Sequence, residues 1–516
     1  MGGTKILLLA AASVLVISAA SARADDYTDL LDILKAKGSL SQSEYSTLLA
    51  KHLRNMRAAR HGAPAMGIST EADESAAKAR QAAIEAAASA AAAQQVMLQT
   101  QDEMKKTEAM MAEPDIVKAM PYKPGAGLTM KVGDVDLNIS AIVNAFYTYS
   151  SADAANPHTV VGGGLTDASG FDSSSVRNGL LPGAIIVSAS TTQDGIDLTA
   201  VFGAYPGIDN ANVGALNANN GGNSVALGTA GVDFRKTYIT AGTATFGTIK
   251  LGRDIGLFGQ DAILNDQTLL GVGATGNNAD PANTSLGRIG LGYIYADFMP
   301  QITYISPIFA GFQGSVGVFQ PLNEFDFSGL SGESGEHSAP MFQGRFTYDY
   351  KADNWATHIW AGFVTQTQDG IVTTTSDRSS KTAVAGEGGA NVTVGPVGLQ
   401  AYIYRGSGVG TTGLFFDGLS QDGEFRDSEG GYVQGFFKPI PKLKLIASYG
   451  QSSLFLAPGE YNPDLVRRNE SETGGAYYNL TDWLTLVGEY THTDSQSHGP
   501  NSSSANSVSA GAILFY

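Results

Sequence analysis

From Lys131 to the C-terminus the residues alternate between apolar and polar, with turn residues punctuating the pattern at regular intervals. Strict alternation is the signature of strands that face two different environments. Sixteen such segments can be read: 131–149, 184–193, 195–204, 233–243, 246–253, 300–306, 311–320, 341–351, 354–365, 381–394, 397–406, 430–439, 442–451, 473–480, 483–493 and 506–516. Their connections alternate as well. Asp194, Asp353, Gly395-Pro396, Pro439-Ile440-Pro441 and Thr481-Asp482 make short turns, and the intervening loops are long, polar and rich in Gly and Asn. Short turns at one end and long loops at the other mark a transmembrane barrel. The expected fold class is an all-β transmembrane barrel of sixteen antiparallel strands over 131–516.

The alternation also assigns faces. In 341–351, Phe342, Phe346, Tyr348 and Tyr350 share one side, and Gln343, Arg345, Thr347 and Asp349 share the other. Leu484, Leu486 and Tyr490 alternate with Thr485 and Glu489, and Leu443, Leu445, Ala447 and Tyr449 alternate with Lys442, Lys444 and Ser448. An Arg or Lys facing lipid at mid-bilayer costs about 2–4 kcal/mol, so the polar rows belong inside. Asp349, Lys442, Lys444 and Glu489 are therefore expected in the lumen. Tyr147, Tyr149, Phe436, Phe437, Tyr477 and Tyr478 lie near strand ends, where interfacial girdles are expected.

Composition removes several function classes. The chain has no Cys, so it has no disulfide framework and no cysteine chemistry. A formal charge of −17 argues against nucleic acid as a partner, because phosphate binding needs a basic footprint. Residues 1–24 read as a signal peptide: Lys5, an apolar run from Ile6 to Ala20, then Ala22-Arg23-Ala24 as a cleavage site. No later apolar run reaches the length of a spanning helix.

Residues 25–60 are expected to form a helical hairpin. Gly38 ends the first helix, and Ser41-Gln42-Ser43-Glu44 caps the second. Within 61–120 a Gly- and Pro-containing linker precedes the Ala-rich stretch Glu71–Glu113, in which Met97, Met104 and Met111 recur every seven residues. A seven-residue repeat suggests a coiled coil, and a solvated helical spacer is the other reading. Pro114, Pro121 and Pro124 end the helix before the barrel.

The stretch Phe234–Gly259, FRKTYITAGTATFGTIKLGRDIGLFG, holds a tight hairpin. After it the pattern stops until Gln301, an outsized loop of the kind that is usually functional. The wording FGTIKLGRD resembles the fifth strand of the Gram-negative trimeric general porins. Gln301-Ile302-Thr303-Tyr304-Ile305-Ser306-Pro307 followed by Gly311-Phe312 is similar to that family, and the terminal aromatic residue resembles its insertion signal, although Tyr516 stands where Phe is usual. The helical prefix resembles that of members with an N-terminal coiled-coil extension in the periplasm. The resemblance implies a homotrimer in outer-membrane lipid and lipopolysaccharide, passing small hydrophilic solutes and ions. It also implies that the third loop, 254–299, narrows the pore. Arg253, Arg235 and Arg345 are then the wall cations, with Asp254, Asp261, Asp266 and Arg288 on the loop.

An enzyme is not expected. There is no G-x-S-x-G elbow and no H-E-x-x-H, and only His358 of the seven histidines lies mid-strand. No catalytic residue, metal or cofactor is expected. The alternatives to a general diffusion pore are a pore selective for an anion, phosphate, sugar or dicarboxylate, and an anchor that tethers peptidoglycan through its helices.

Overall fold

The structure, a computed structural model, describes residues 118–119, 126–166, 172–208, 232–276, 284–372 and 378–516, all within the chain's second unit, Glu71–Tyr516. The expected signal peptide, helical hairpin and Ala-rich helix lie outside the described residues.

The wall is a continuous antiparallel sheet that closes on itself. In chain order its strands are β1 (Val135–Ala152), β2 in two halves (Ser173–Arg177 and Ala184–Gln193), β3 (Ile196–Pro206), β4 (Val232–Thr243), β5 (Gly247–Ile255), β6 (Phe298–Ile305), β7 (Phe312–Phe319) and β8 (Met341–Lys351). There follow β9 (Trp355–Val372), β10 (Arg378–Val394), β11 (Val397–Ser407), β12 (Asp427–Ile440), β13 (Leu443–Leu454), β14 (Val466–Asn479), β15 (Leu484–Ser497) and β16 (Ser502–Phe515). Each pairs with its sequence neighbours, and β16 pairs with β1 from Ala505↔Ala152 to Phe515↔Ile142. Tyr516 and Ala141 extend that seam with two backbone hydrogen bonds. The barrel of sixteen antiparallel strands is therefore closed, which leaves no edge whose N–H and C=O groups would face lipid unpaired.

Several details differ from the sequence reading, beginning with strand length: β9 reaches Val372 and β14 starts at Val466, beyond the expected 354–365 and 473–480. The segment 131–149 is not one strand: Leu128–Val132 pairs back on β1, with Val132↔Val135 beside the turn at Gly133 and Asp134. Gly133 has φ 62°, a conformation open to Gly. The first half of β2 was missed because Ser173-Ser174-Ser175 carries no apolar alternation. Its two halves both pair with β1, and residues 178–183 leave the wall between them. There the Leu180 N–H donates to the Gly271 carbonyl at 2.8 Å, inside the barrel.

The face assignment holds in the structure. Phe342, Phe346 and Tyr350 are exposed, while Gln343 and Thr347 are buried. Of the six proposed girdle aromatics, Tyr147, Tyr149, Phe437 and Tyr478 are exposed on the outside. Tyr477 is instead buried and Phe436 half-buried, because each occupies the inward row of its strand. Lys442 also departs from expectation. It lies in the turn between β12 and β13 and is exposed, its ammonium donating to the Leu480 carbonyl at 3.4 Å.

Candidate functional site

The long connection between β5 and β6, residues 256–297, turns into the barrel. The Gly256 N–H donates to the Asp297 carbonyl, the last rung before the chains diverge. A one-turn helix, α1 (Gln260–Leu264), follows Gly259, and all five of its residues are buried. Leu257, Phe258, Ile263, Leu269, Val272, Ile289, Leu291 and Ile294 are buried as well, so the loop carries its own apolar core.

Wall side chains satisfy the loop's backbone. Gln343 Oε1 on β8 accepts from the N–H groups of Leu257 (2.7 Å) and Phe258 (2.9 Å). Glu387 on β10 accepts from the Gly259 N–H at 2.9 Å and the Tyr402 hydroxyl at 2.7 Å. Glu489 on β15 accepts from the N–H groups of Val272 (2.7 Å) and Gly273 (2.9 Å), and from the Tyr477 hydroxyl. Tyr432 on β12 donates to the Ala262 carbonyl at 2.7 Å. Apart from the Tyr402 and Tyr477 hydroxyls, each contact pairs a backbone group that would otherwise be buried without a partner.

The predicted site residues fall into separate groups. Arg345 on β8 meets Asp261 of α1, with Nη2 2.7 Å from Oδ1. His358 on β9 joins them, its Nε2 3.1 Å from Asp261 and its Nδ1 2.7 Å from Asp349. An imidazole between two carboxylates donates from both nitrogens only when protonated. Burial alone would raise the Asp261 pKa, but the Arg345 charge and the hydrogen bonds from Arg345 and His358 hold it well below the usual carboxylate range. Asp254 is paired elsewhere, with Lys250 at 2.5 Å and Lys236 at 3.7 Å. Arg235 pairs with Asp233 at 2.7 Å. Asp266 accepts from the Tyr293 hydroxyl and the Thr268 N–H, both at 2.9 Å. Arg288 is fully buried and donates to the backbone and hydroxyl of Ser471 on β14, both at 3.1 Å.

Arg253 is half-buried at the base of the loop, its backbone paired with Thr237 and Pro300. Its Nε makes no hydrogen bond, and its charge acts on Asp297 and Tyr295 of the loop. Asp349 is exposed and Lys444 half-buried. Among the described residues, no cluster of His, Cys, Asp or Glu could hold a metal ion.

Sequence reasoning missed an inward aromatic row beneath α1. Trp360 (β9), Tyr402 (β11) and Tyr432 (β12) stack at centroid distances of 6.3 and 5.3 Å, and Tyr293 of the loop meets Tyr432 edge-on at 6.0 Å. On β10, between Trp360 and Tyr402, stands Gly389, where a Cβ would lie 2.2 Å from the Trp360 indole. The Gly388-Gly389 pair in mid-strand was the available signal. Gln343 and Glu387 were also missed, since nothing local separates an anchoring lumen side chain from a solvated one.

A closed sixteen-stranded barrel, apolar outside and holding a long loop against its inner wall, defines an outer-membrane channel architecture. The family model for the Gram-negative porin matches residues 79–498, well over half of the chain, and the chain belongs to that family. Among solved structures, the outer membrane channel DcaP of Acinetobacter baumannii is similar at TM-score 0.55 and 16% identity, over 77% of this chain and 99% of that one. The anion-selective porin from Comamonas acidovorans aligns at TM-score 0.48 and 14% identity, over 74% of this chain and 100% of the other. No curated protein sequence matches this one.

Proposed function

We propose that this chain forms a water-filled channel for passive diffusion of small hydrophilic solutes and ions, narrowed by the loop 256–297. The observation that supports this reading best is the anchoring of that loop. Gln343, Glu387 and Glu489, on three different strands, accept its backbone N–H groups, so the loop is a fixed part of the lumen rather than a surface lid. Arg345 on the wall and Asp261 on the loop set the field at the narrow point together with His358, Arg253 adds a charge at the loop's base, and Arg235, Asp254, Asp266 and Arg288 act from their own buried pairings around it. Charges held in a low-dielectric frame act more strongly on a passing ion than charges on solvated loop tips. The assembly is a homotrimer embedded in outer-membrane lipid and lipopolysaccharide, with one solute path through each barrel. The N-terminal segment lies in the periplasm, within reach of peptidoglycan. The chemistry is permeation rather than catalysis.

A second reading is a sealed anchor, favoured by the outer loops that also fold over the lumen: the Tyr295 N–H donates to the Thr412 carbonyl, and Phe325 packs on Phe416 at 5.1 Å. Planar-bilayer recording separates the two. A pore gives stepwise conductance. Arg345→Ala and Arg253→Ala each remove a positive charge, so conductance should rise and the reversal potential in a salt gradient should move toward cations. Wild-type insertion without conductance would leave the anchor; conductance indifferent to both substitutions would move the constriction elsewhere.

A further inference from the structure

We propose that the β12–β13 hairpin is an oxyanion-binding collar at the short-turn mouth, which gives small carboxylate- or phosphate-bearing solutes a docking point on that side. The proposal rests on the reading of the barrel as a channel for its consequence, though not for the binding itself. Among the described residues, Arg235, Lys236, Lys250, Arg345, Lys381 and Arg426 each have a carboxylate partner, whereas Arg288 donates to Ser471 instead. The hairpin gathers three further cations of this second kind. Lys438, Lys442 and Lys444 lie within seven residues of one another, and none has a carboxylate partner among the described residues.

Two of the lysines sit on an aromatic platform. Lys438 Nζ is 5.4 Å and Lys444 Nζ 5.7 Å from the Phe436 ring centroid, and Lys444 is also 5.1 Å from that of Tyr477. Phe436 pairs in register with the buried Ile446, which places this group on the inward row. A ring face offsets part of the repulsion between two ammoniums, but it accepts no conventional hydrogen bond and leaves their N–H donors for another group. The carboxylates whose charge reaches Lys444 are Asp266 and Glu489. Both are already committed, to Thr268 and Tyr293 and to Val272, Gly273 and Tyr477. In a chain of net charge −17, these three lysines gather positive charge on one hairpin. An oxyanion there would take a charge-assisted hydrogen bond from an ammonium of the hairpin.

The test uses the full-length protein and inorganic phosphate as probe. In detergent, the protein should broaden the 31P resonance of phosphate. Lys438→Gln/Lys444→Gln should bind phosphate about tenfold more weakly, the scale of one lost charge-assisted hydrogen bond, whereas Lys438→Arg/Lys444→Arg should retain binding. In bilayers at low salt, where screening is weak, phosphate added to the short-turn side should reduce the chloride current more than phosphate added to the loop side. The Gln pair should abolish that asymmetry. Absence of wild-type broadening, or equal binding by the Gln pair, overturns the collar. Binding without any conductance upholds the collar and rejects the channel reading.

Discussion

Glu489 shows how one residue decides the shape of the lumen. Its carboxylate is 6% exposed and accepts from two consecutive loop N–H groups and a tyrosine hydroxyl. Hydrogen bonds to a charged group are worth roughly 1.5–3 kcal/mol each, and the orphaned donors would stay buried. Glu489→Ala should free the loop around Val272, seen as noisier single-channel current and earlier proteolysis inside the barrel. Glu489→Gln keeps one acceptor oxygen and should have a smaller effect. A quiet Ala variant with wild-type protease resistance would mean that the other anchors suffice. At this scale the sequence showed that Glu489 faces inward; it could not show that the residue holds a loop. Alternation fixes a side chain's face, while its partner is about 217 residues away in the chain.

At the scale of elements, β9, β10 and β11 work as a footing for α1. Trp360 and Tyr402 lie on strands flanking β10, and they approach because Gly389 leaves its place empty. A methyl group there would lie 2.2 Å from the indole. Gly389→Ala should therefore force the indole to shift, at a cost of about 1–3 kcal/mol for overpacking. The heat needed to unfold the barrel in a gel-shift assay should fall. A barrel that unfolds at the wild-type temperature would show that the row adjusts freely. The inward and outward rows here were legible from alternation, and the aromatic row across the strands was not. Neighbours on a sheet are set by hydrogen bonding between strands, which a period-two pattern does not encode.

For the molecule as a whole, the rhythm of connections carries an orientation. Short turns belong in the periplasm and long loops outside the cell. Because the chain has no cysteine, single thiols report sidedness without background. A membrane-impermeant maleimide on intact cells should label Tyr461→Cys, whose parent residue is 88% exposed on the loop between β13 and β14, and spare Lys442→Cys in the opposite turn. Labelling of Lys442→Cys alone would invert the barrel. The sequence by itself determined the strand number, the two faces, the closed barrel and the existence of one outsized loop. Those features follow from local alternation and from lipid's refusal of unpaired backbone and charge. Only the tertiary structure decided where that loop goes, which carboxylates it engages and which lysines have no acidic partner among the described residues. Such pairings join residues far apart in the chain, brought together by closure of the sheet, and no local pattern specifies them.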